Sequence, residues 1–328
     1  MYPHTRTRVP RVRRTRFEEH APPCPAGAPP SPGPGSPTPG CGPTSPTPPA
    51  GSCAANRPPT SPCACWPNRP WCPWLAAGLA FMNLVDDVAE SGTPGARAAG
   101  LAALARRTES ALETGDSPDP LLRAYAHAVR TRGLPGQWVT RFLDGAATAE
   151  AAFDGFADEE DFQAYLDAYA WPGVLVFTGL QYRGGPDAGQ AAGWRRFVDA
   201  AQRVDFLADL AGDLADGRLC IPRSRLAEHS VTRADLEQAR DTPAVRRLLA
   251  AECGRARARL AAVDGILDLT EPGLRPVVGA MTELMGQQLA AVERAGAGAL
   301  RKDTGYGLAA PVATLARALR RRGTRRPV

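Results

Sequence analysis

Residues 202–222, QRVDFLADLAGDLADGRLCIP, are the stretch that decides the expected fold. They carry four aspartates at spacings of four, four and three residues: Asp205, Asp209, Asp213 and Asp216. Residues three and four apart share one face of a helix, so the spacing predicts a single acidic stripe. Three leucines on another face can hold this helix in a core: Leu207, Leu210 and Leu214. Gly217 and Pro222 mark the expected end of the helix.

Like charges at four-residue spacing repel and destabilise a helix, so we expect a positive charge near this one. Clustered carboxylates suit Mg²⁺, which often completes its shell with substrate phosphates. A solvated helix face would give the same stripe. A second acidic cluster favours the metal-binding interpretation, because FMNLVDDVAE (81–90) places Asp86, Asp87 and Glu90 after an apolar run. Two such clusters predict two carboxylate-bearing walls that face one cavity.

Taken together, the two clusters resemble the motifs of the squalene/phytoene synthase family. The first reads DDxxE from residue 86, and the second is similar to the family pattern QxxNxxRDxxEDxxxGRxYxP. The resemblance covers about residues 79–319. It implies an all-α fold, namely a single helical domain of the class I isoprenoid-synthase type with a central cavity.

The resemblance also implies a reaction. Family members couple two prenyl diphosphates head to head, as phytoene and squalene synthases do, in carotenoid, hopanoid or related isoprenoid biosynthesis. The implied substrates are farnesyl or geranylgeranyl diphosphate, and the implied cofactor is Mg²⁺, with NADPH only if the product is squalene. Mg²⁺ would neutralise charge on the leaving diphosphate, and arginine would add charge-assisted hydrogen bonds.

Individual residues receive roles from the same resemblance. Those expected to act in catalysis are Asp86, Asp209 and Asp213. Those expected to bind Mg²⁺ are Asp86, Glu90, Asp209 and Asp213. Those expected to bind substrate are Asp87, Gln202, Asp205, Arg218, Tyr165 and Lys302. A core helix with a proline kink would also explain the segment around Tyr165, and a solvated basic turn would explain Lys302.

The chain departs from the family pattern at several positions: Asp205 stands for asparagine, Asn83 and Ala208 for arginine, Gly212 for glutamate, Cys220 for tyrosine, and Ala149 for a further acidic residue. A non-catalytic, truncated relic of the synthase fold therefore stays an alternative. A class I terpene cyclase is another, because it shares acidic metal motifs and a helical fold. Against the cyclase, the second motif is rich in aspartate rather than of the Asn-Ser-Glu type.

Composition separates residues 1–76 from the rest of the chain. They hold most of the 33 prolines and 8 cysteines and almost no apolar run, which predicts a disordered leader. A helical domain, 77–322, and a basic tail, 323–328, complete the predicted organisation. Because the composition fits GC-rich codons read out of frame, we hypothesise that a frameshift or wrong start replaced the native N-terminus.

The remainder of the chain is expected to form helix after helix, since strand alternation is absent over any useful length. The predicted helices are 75–90, 96–112, 120–132, 137–147, 159–170, 174–180, 190–215, 233–240, 243–267, 273–294 and 309–322. The formal net charge of +5 lies in the leader, so it does not predict nucleic-acid binding by the helical domain. Without a secretory signal or an apolar run near the roughly 20 residues that span a bilayer, we expect a cytoplasmic protein. Peripheral membrane contact and oligomeric state stay open.

Overall fold

The protein folds as a set of packed helices in a computed structural model that describes residues 72–304. The α-helices of this range are α1 (Cys72–Glu90), α2 (Pro94–Thr114), α3 (Pro120–Arg132), α4 (Gly136–Gly145), α5 (Glu159–Tyr165), α6 (Trp171–Thr178), α7 (Ala188–Ala208), α8 (Leu210–Ala215), α9 (Arg223–Glu228), α10 (Arg233–Glu237), α11 (Pro243–Ala261), α12 (Ile266–Leu269) and α13 (Arg275–Ala295). The all-α prediction is confirmed. Most of the predicted leader, the predicted helix 309–322 and the basic tail lie outside the described residues.

Two groups of helices build the core. In the first, α1 packs against α2, α3 and α6, and the buried ring of Phe81 stacks on Tyr125 at a centroid distance of 4.1 Å. In the second, α7 packs against α11 and α13 around Trp194 and Leu248. Because α6 contacts α7, the two groups pack against each other.

Several helix starts follow directly from the sequence. Thr93, Asp119 and Thr242 cap α2, α3 and α11 through their side chains, and each of these helices has a proline in its first turn. At the start of α7, Asp187 and Gln190 form a reciprocal capping box. These local signals fix where α7 and α11 begin.

The predicted continuous helix 190–215 is wrong. The chain bends at Asp209, whose backbone angles of φ −99° and ψ 12° separate α7 from α8. Hydrogen bonds from Asp209 N to Asp205 O and from Asp213 N to Asp209 O both persist at 2.9 Å. The acidic stripe therefore continues across the bend instead of ending there.

The predicted break around Pro172 is also wrong. A π turn, Leu166–Ala170, joins α5 to α6 without interruption. Pro172 has no N–H, so the Ala168 carbonyl lacks the donor it would have in a regular helix. Gly145 packs against that carbonyl so closely that a Cβ would lie 2.0 Å from its oxygen. The glycine thus allows α4 to approach the π turn.

Three other boundaries differ from the predictions. The predicted helix 243–267 is two helices, because α11 ends at Ala261 and Gly265, at φ 88°, precedes α12. Helix α9 was not predicted, and α1 begins three residues earlier than expected. Within residues 72–304, no helix combines the length and the apolar character needed to span a membrane.

We expect Gly145→Ala to lower the free energy of unfolding by about 2–3 kcal/mol, since the new methyl group would collide with the Ala168 carbonyl. Gly254→Ala is the matched control, because a Cβ at this exposed position of α11 meets nothing within 4 Å. It should stabilise the protein by roughly 0.5–1 kcal/mol through helix propensity. Urea denaturation of both variants measures the difference, and equal effects would contradict the predicted contact.

Candidate active site

The first acidic cluster lies at the carboxyl-terminal end of α1. Buried Phe81 and Val85 hold one face of this helix in the core. On the site-facing side, Asp86 Oδ1 accepts a hydrogen bond of 2.6 Å from Tyr169 Oη. Burial raises the pKa of Tyr169, and the charges of Asp86 and Glu150 raise it further. The phenol therefore stays protonated and acts as a donor to the carboxylate.

A buried carboxylate, Glu150, joins the next two groups. It is 4% exposed and accepts hydrogen bonds of 2.7 Å from both Tyr165 Oη and Arg218 Nη1. Burial raises the pKa of Tyr165, and Glu150 raises it further. Burial alone would lower the pKa of Arg218, but Glu150 raises it. The site thus contains a charged pair whose carboxylate is also held by a phenol.

A second π turn, Ala146–Glu150, delivers this carboxylate. The family pattern has an acidic residue at the position of Ala149, whereas the structure positions an acidic side chain, Glu150, one residue later. A π turn accommodates an additional residue within a helix, so it changes which side chains face the site. The loop that follows is tied down because Leu219 N donates to Asp154 O at 3.1 Å, which keeps Arg218 beside Glu150.

Asp213 of the second acidic cluster lies next to the same arginine. Arg218 Nε is 3.8 Å from Asp213 Oδ1, and this buried N–H has no hydrogen-bond partner among residues 72–304. Cys220 Sγ donates to Asp213 Oδ2 at 3.2 Å from the position where the family pattern has tyrosine. Burial raises the pKa of Cys220, and Asp213 raises it further, so the group remains a thiol donor.

Asp205 shows that the two acidic clusters share one electrostatic environment. Part of the Asp205 side chain is exposed to solvent. The surrounding protein nevertheless withdraws its carboxyl group from water enough to raise its pKa to about 7. The charges of Asp209, Asp213 and Glu90 contribute to this rise. Since Glu90 belongs to α1 and the others to the bent helix, residues of both acidic clusters lie near Asp205.

The other predicted residues lie around this centre. Gln202 is half-buried on α7, one turn before Asp205, and Asp87 is exposed on α1. Lys302 is exposed and directly precedes Asp303, whose carboxylate contacts the start of α8. The catalytic, metal-binding and substrate-binding roles of these residues stay predictions.

Mg²⁺ takes oxygen ligands in proteins, and the acidic side chains of this site carry such oxygens. Within residues 72–304, no group of three or more His, Cys, Asp or Glu side chains is arranged to hold a metal ion by itself. Mg²⁺ is usually bound by one or two carboxylates together with waters and substrate phosphates, so a protein-only cage is not needed. Burial raises the pKa of Asp205 most, and the neighbouring carboxylates raise it further, an effect that a bound cation would offset. The residues therefore fit Mg²⁺.

Two residues of this centre were missed by the sequence reasoning. Tyr169 follows Tyr165 by four residues, and this spacing could have placed both phenols on one helix face. No spacing in the sequence indicated that Glu150 faces the site, because its orientation depends on a π turn that the sequence pattern does not reveal.

Comparison with known proteins identifies relatives of the whole described region. A model of the squalene/phytoene synthase family matches residues 70–308. The bifunctional protein CrtB/UppS of Streptomyces coelicolor is 27% identical over 217 residues, which make up 66% of this chain and 38% of that relative. The chain thus matches well under half the length of this curated relative.

Two solved structures share the fold. The squalene synthase HpnC from Alicyclobacillus acidocaldarius has a TM-score of 0.57 and 24% identity, over 73% of this chain and 84% of that one. A dehydrosqualene synthase in complex with ligand has a TM-score of 0.66 and 18% identity, over 76% of this chain and 87% of that one. At these identities the likeness concerns the helical architecture.

We expect Glu150→Ala to lower the free energy of unfolding by about 3 kcal/mol, because it leaves the partly buried Arg218 charge without its partner. Tyr165→Phe removes only one neutral donor and should cost about 1 kcal/mol. Glu160→Ala, at an exposed acidic position of α5, is the control and should change little. Chemical denaturation at pH 7 measures all three, and an effect of Glu150→Ala no larger than the control would refute the buried pair.

We expect Asp205→Asn to stabilise the metal-free protein in a pH-dependent manner. The folded state raises the pKa of Asp205 from 3.8 to about 7, so it binds this proton more tightly than the unfolded chain does. Stability is therefore lost as pH rises between these values, and the loss is complete above pH 7. With allowance for solvent screening, the variant should gain about 1 kcal/mol at pH 8 and little at pH 4. Thermal unfolding in EDTA at both pH values tests this, and an equal gain at both would contradict it.

Proposed function

This chain belongs to the squalene/phytoene synthase family, and on that basis we propose that it is a Mg²⁺-dependent prenyltransferase that couples two prenyl diphosphates head to head. One observation supports the proposal most strongly. Tyr169 donates to Asp86, its ring contacts that of Tyr165 at a centroid distance of 5.8 Å, and Tyr165 donates to Glu150. Arg218 in turn lies between Glu150 and Asp213. Carboxylates from distant parts of the chain thus border one centre.

The residues have separate tasks in this proposal. Asp86 and Glu90 on α1, with Asp209 and Asp213 on the bent helix, would hold Mg²⁺. When bound, Mg²⁺ would neutralise the charge that develops on the departing diphosphate. The buried Nε–H of Arg218, which has no hydrogen-bond partner within the described part of the chain, would donate to a diphosphate oxygen.

Aromatic side chains form the surroundings of this polar centre. The Arg218 guanidinium lies over Phe153 at 4.8 Å from the ring centroid, and Phe153 stacks on Phe206 at 6.4 Å. Phe153 and Phe206 also contact Tyr165. Such a surface would keep water away from an allylic carbocation formed when diphosphate leaves.

Two departures from the family pattern have counterparts that support an active enzyme over a relic. The acidic group that is missing at Ala149 is supplied by Glu150. Cys220, in place of tyrosine, still contacts Asp213 through a hydrogen bond.

Farnesyl or geranylgeranyl diphosphate is the substrate class we propose. Departure of the second diphosphate followed by loss of a proton would give a phytoene-type product, whereas squalene would require hydride from NADPH after that departure. We also propose that the protein acts in the cytoplasm, where its substrates could be drawn from, or its product passed to, a membrane surface. A class I terpene cyclase remains the second candidate because it would use a similar arrangement of carboxylates.

We expect Mg²⁺-dependent release of pyrophosphate from farnesyl or geranylgeranyl diphosphate, and loss of this release in EDTA. Asp209→Ala should reduce turnover at least 10-fold by removing a metal ligand. Asp205→Asn should be tolerated, because the family pattern has asparagine there, and could raise activity by relieving repulsion. Asp268→Ala, an exposed acidic position on α12, is the control.

Chromatography of the products separates the candidate functions. A linear coupled product supports head-to-head transfer, and a cyclic product from one substrate molecule indicates a terpene cyclase. No pyrophosphate release from any prenyl diphosphate would identify a relic. An inactive Asp205→Asn variant beside an active Asp209→Ala variant would show that the assigned helix register is wrong.

A further inference from the structure

The bend at Asp209 is not an ordinary helix end. The bonds from Asp209 N to Asp205 O and from Asp213 N to Asp209 O continue on both sides of it, and at least one bond between them is exchanged for outside partners. In a regular helix, Gly212 N–H would donate to the Ala208 carbonyl. Here Gly212 N–H donates to Asp303 Oδ1 at 2.9 Å, and the Ala208 carbonyl accepts from Thr304 N at 2.8 Å. Two adjacent residues, 91 or more positions away, therefore satisfy both ends of the opened bond.

Gly212 leaves the space that this arrangement requires. A Cβ at position 212 would lie 2.9 Å from Asp303 Oδ2, closer than such atoms normally approach. Glutamate, which the family pattern has at this position, would collide with the Asp303 carboxylate. Glycine at position 212 therefore allows the Asp303 carboxylate to approach the helix backbone.

The segment that carries Asp303 is itself firmly attached. It follows a 3₁₀ turn, Gly296–Leu300, which packs against α8, α11 and α13. Ala299 is fully buried and Leu300 nearly so. Arg301 Nη2 also donates to the Ala239 carbonyl at 3.3 Å. The 301–304 segment can therefore act as a fixed support for the bent helix.

We propose that Asp303 is a positioning residue that clamps the bend of the acidic helix and so sets the orientation of Asp209 and Asp213. The clamp consists of the Asp303–Gly212 and Thr304–Ala208 hydrogen bonds. Its carboxylate takes the place that the family pattern fills with a glutamate side chain at position 212. The predicted effect of Asp303 on metal affinity rests on the proposed function. The two hydrogen bonds of the clamp do not depend on that function.

Hydrogen exchange of the full chain tests the clamp without any metal. Asp303→Ala removes the acceptor, so the Gly212 amide should exchange at least 10-fold faster. Asp303→Asn keeps an acceptor oxygen and should restore most of the protection. Asp268→Ala on α12 is the control. Unchanged exchange at Gly212 in Asp303→Ala would overturn the proposal.

Mn²⁺ binding, followed by electron paramagnetic resonance, tests the positioning role. Asp303→Ala should weaken Mn²⁺ affinity about 10-fold, whereas Asp303→Asn should stay within about threefold of the wild type. Equal affinity in Asp303→Ala and the wild type would overturn the positioning role. If the wild type binds no Mn²⁺, the proposed function fails, and exchange at Gly212 still decides whether the clamp exists.

A double-mutant cycle tests the steric link between the two positions. Gly212→Ala should lower the thermal midpoint by several degrees in the wild type, because its methyl group meets the Asp303 carboxylate. In the Asp303→Ala background the same substitution should be neutral or stabilising, since the collision is gone and alanine favours the helix. Purely additive effects would count against the clamp.

Discussion

The concentration of negative charge on one bent helix is the constraint on which the rest of the site depends. Asp205, Asp209 and Asp213 follow each other along this helix, and Glu90 approaches from α1. Arg218 is near Asp213, but its hydrogen bond goes to Glu150. The protein holds these carboxylates together by packing and by donors on neighbouring helices.

Departures from regular α-helix are the means by which this arrangement is reached. One π turn brings Glu150 to the site, and another carries the chain past Pro172 while Tyr165 and Tyr169 both reach carboxylates. The bend at Asp209 changes the direction of the acidic stripe without ending it. Straight helices with the same residues would present a different set of side chains.

The sequence was sufficient to predict the all-α fold and the two acidic helices, because apolar and acidic residues recur at helical spacing there. Gly217 and Pro222 also marked the end of the acidic helix, since glycine and proline act locally. The sequence did not reveal the bend at Asp209, because that bend depends on Asp303 and Thr304, far along the chain. Pro172 predicted a break because it has no backbone N–H to donate. In the structure the π turn, against which Gly145 packs closely, keeps Pro172 within a longer helical segment.

The π turn at Ala146–Glu150 has a consequence for evolutionary comparison. The additional residue lies inside a helix and lengthens no loop. An alignment without gaps would therefore place Ala149 opposite the acidic residue of the family pattern, and the residues next to it would be misaligned by one position. Placing the gap inside the helix instead aligns residues that occupy the same point in space. Phylogenetic inferences about gain or loss of acidic residues in this region therefore depend on structural alignment rather than on letter-by-letter matching.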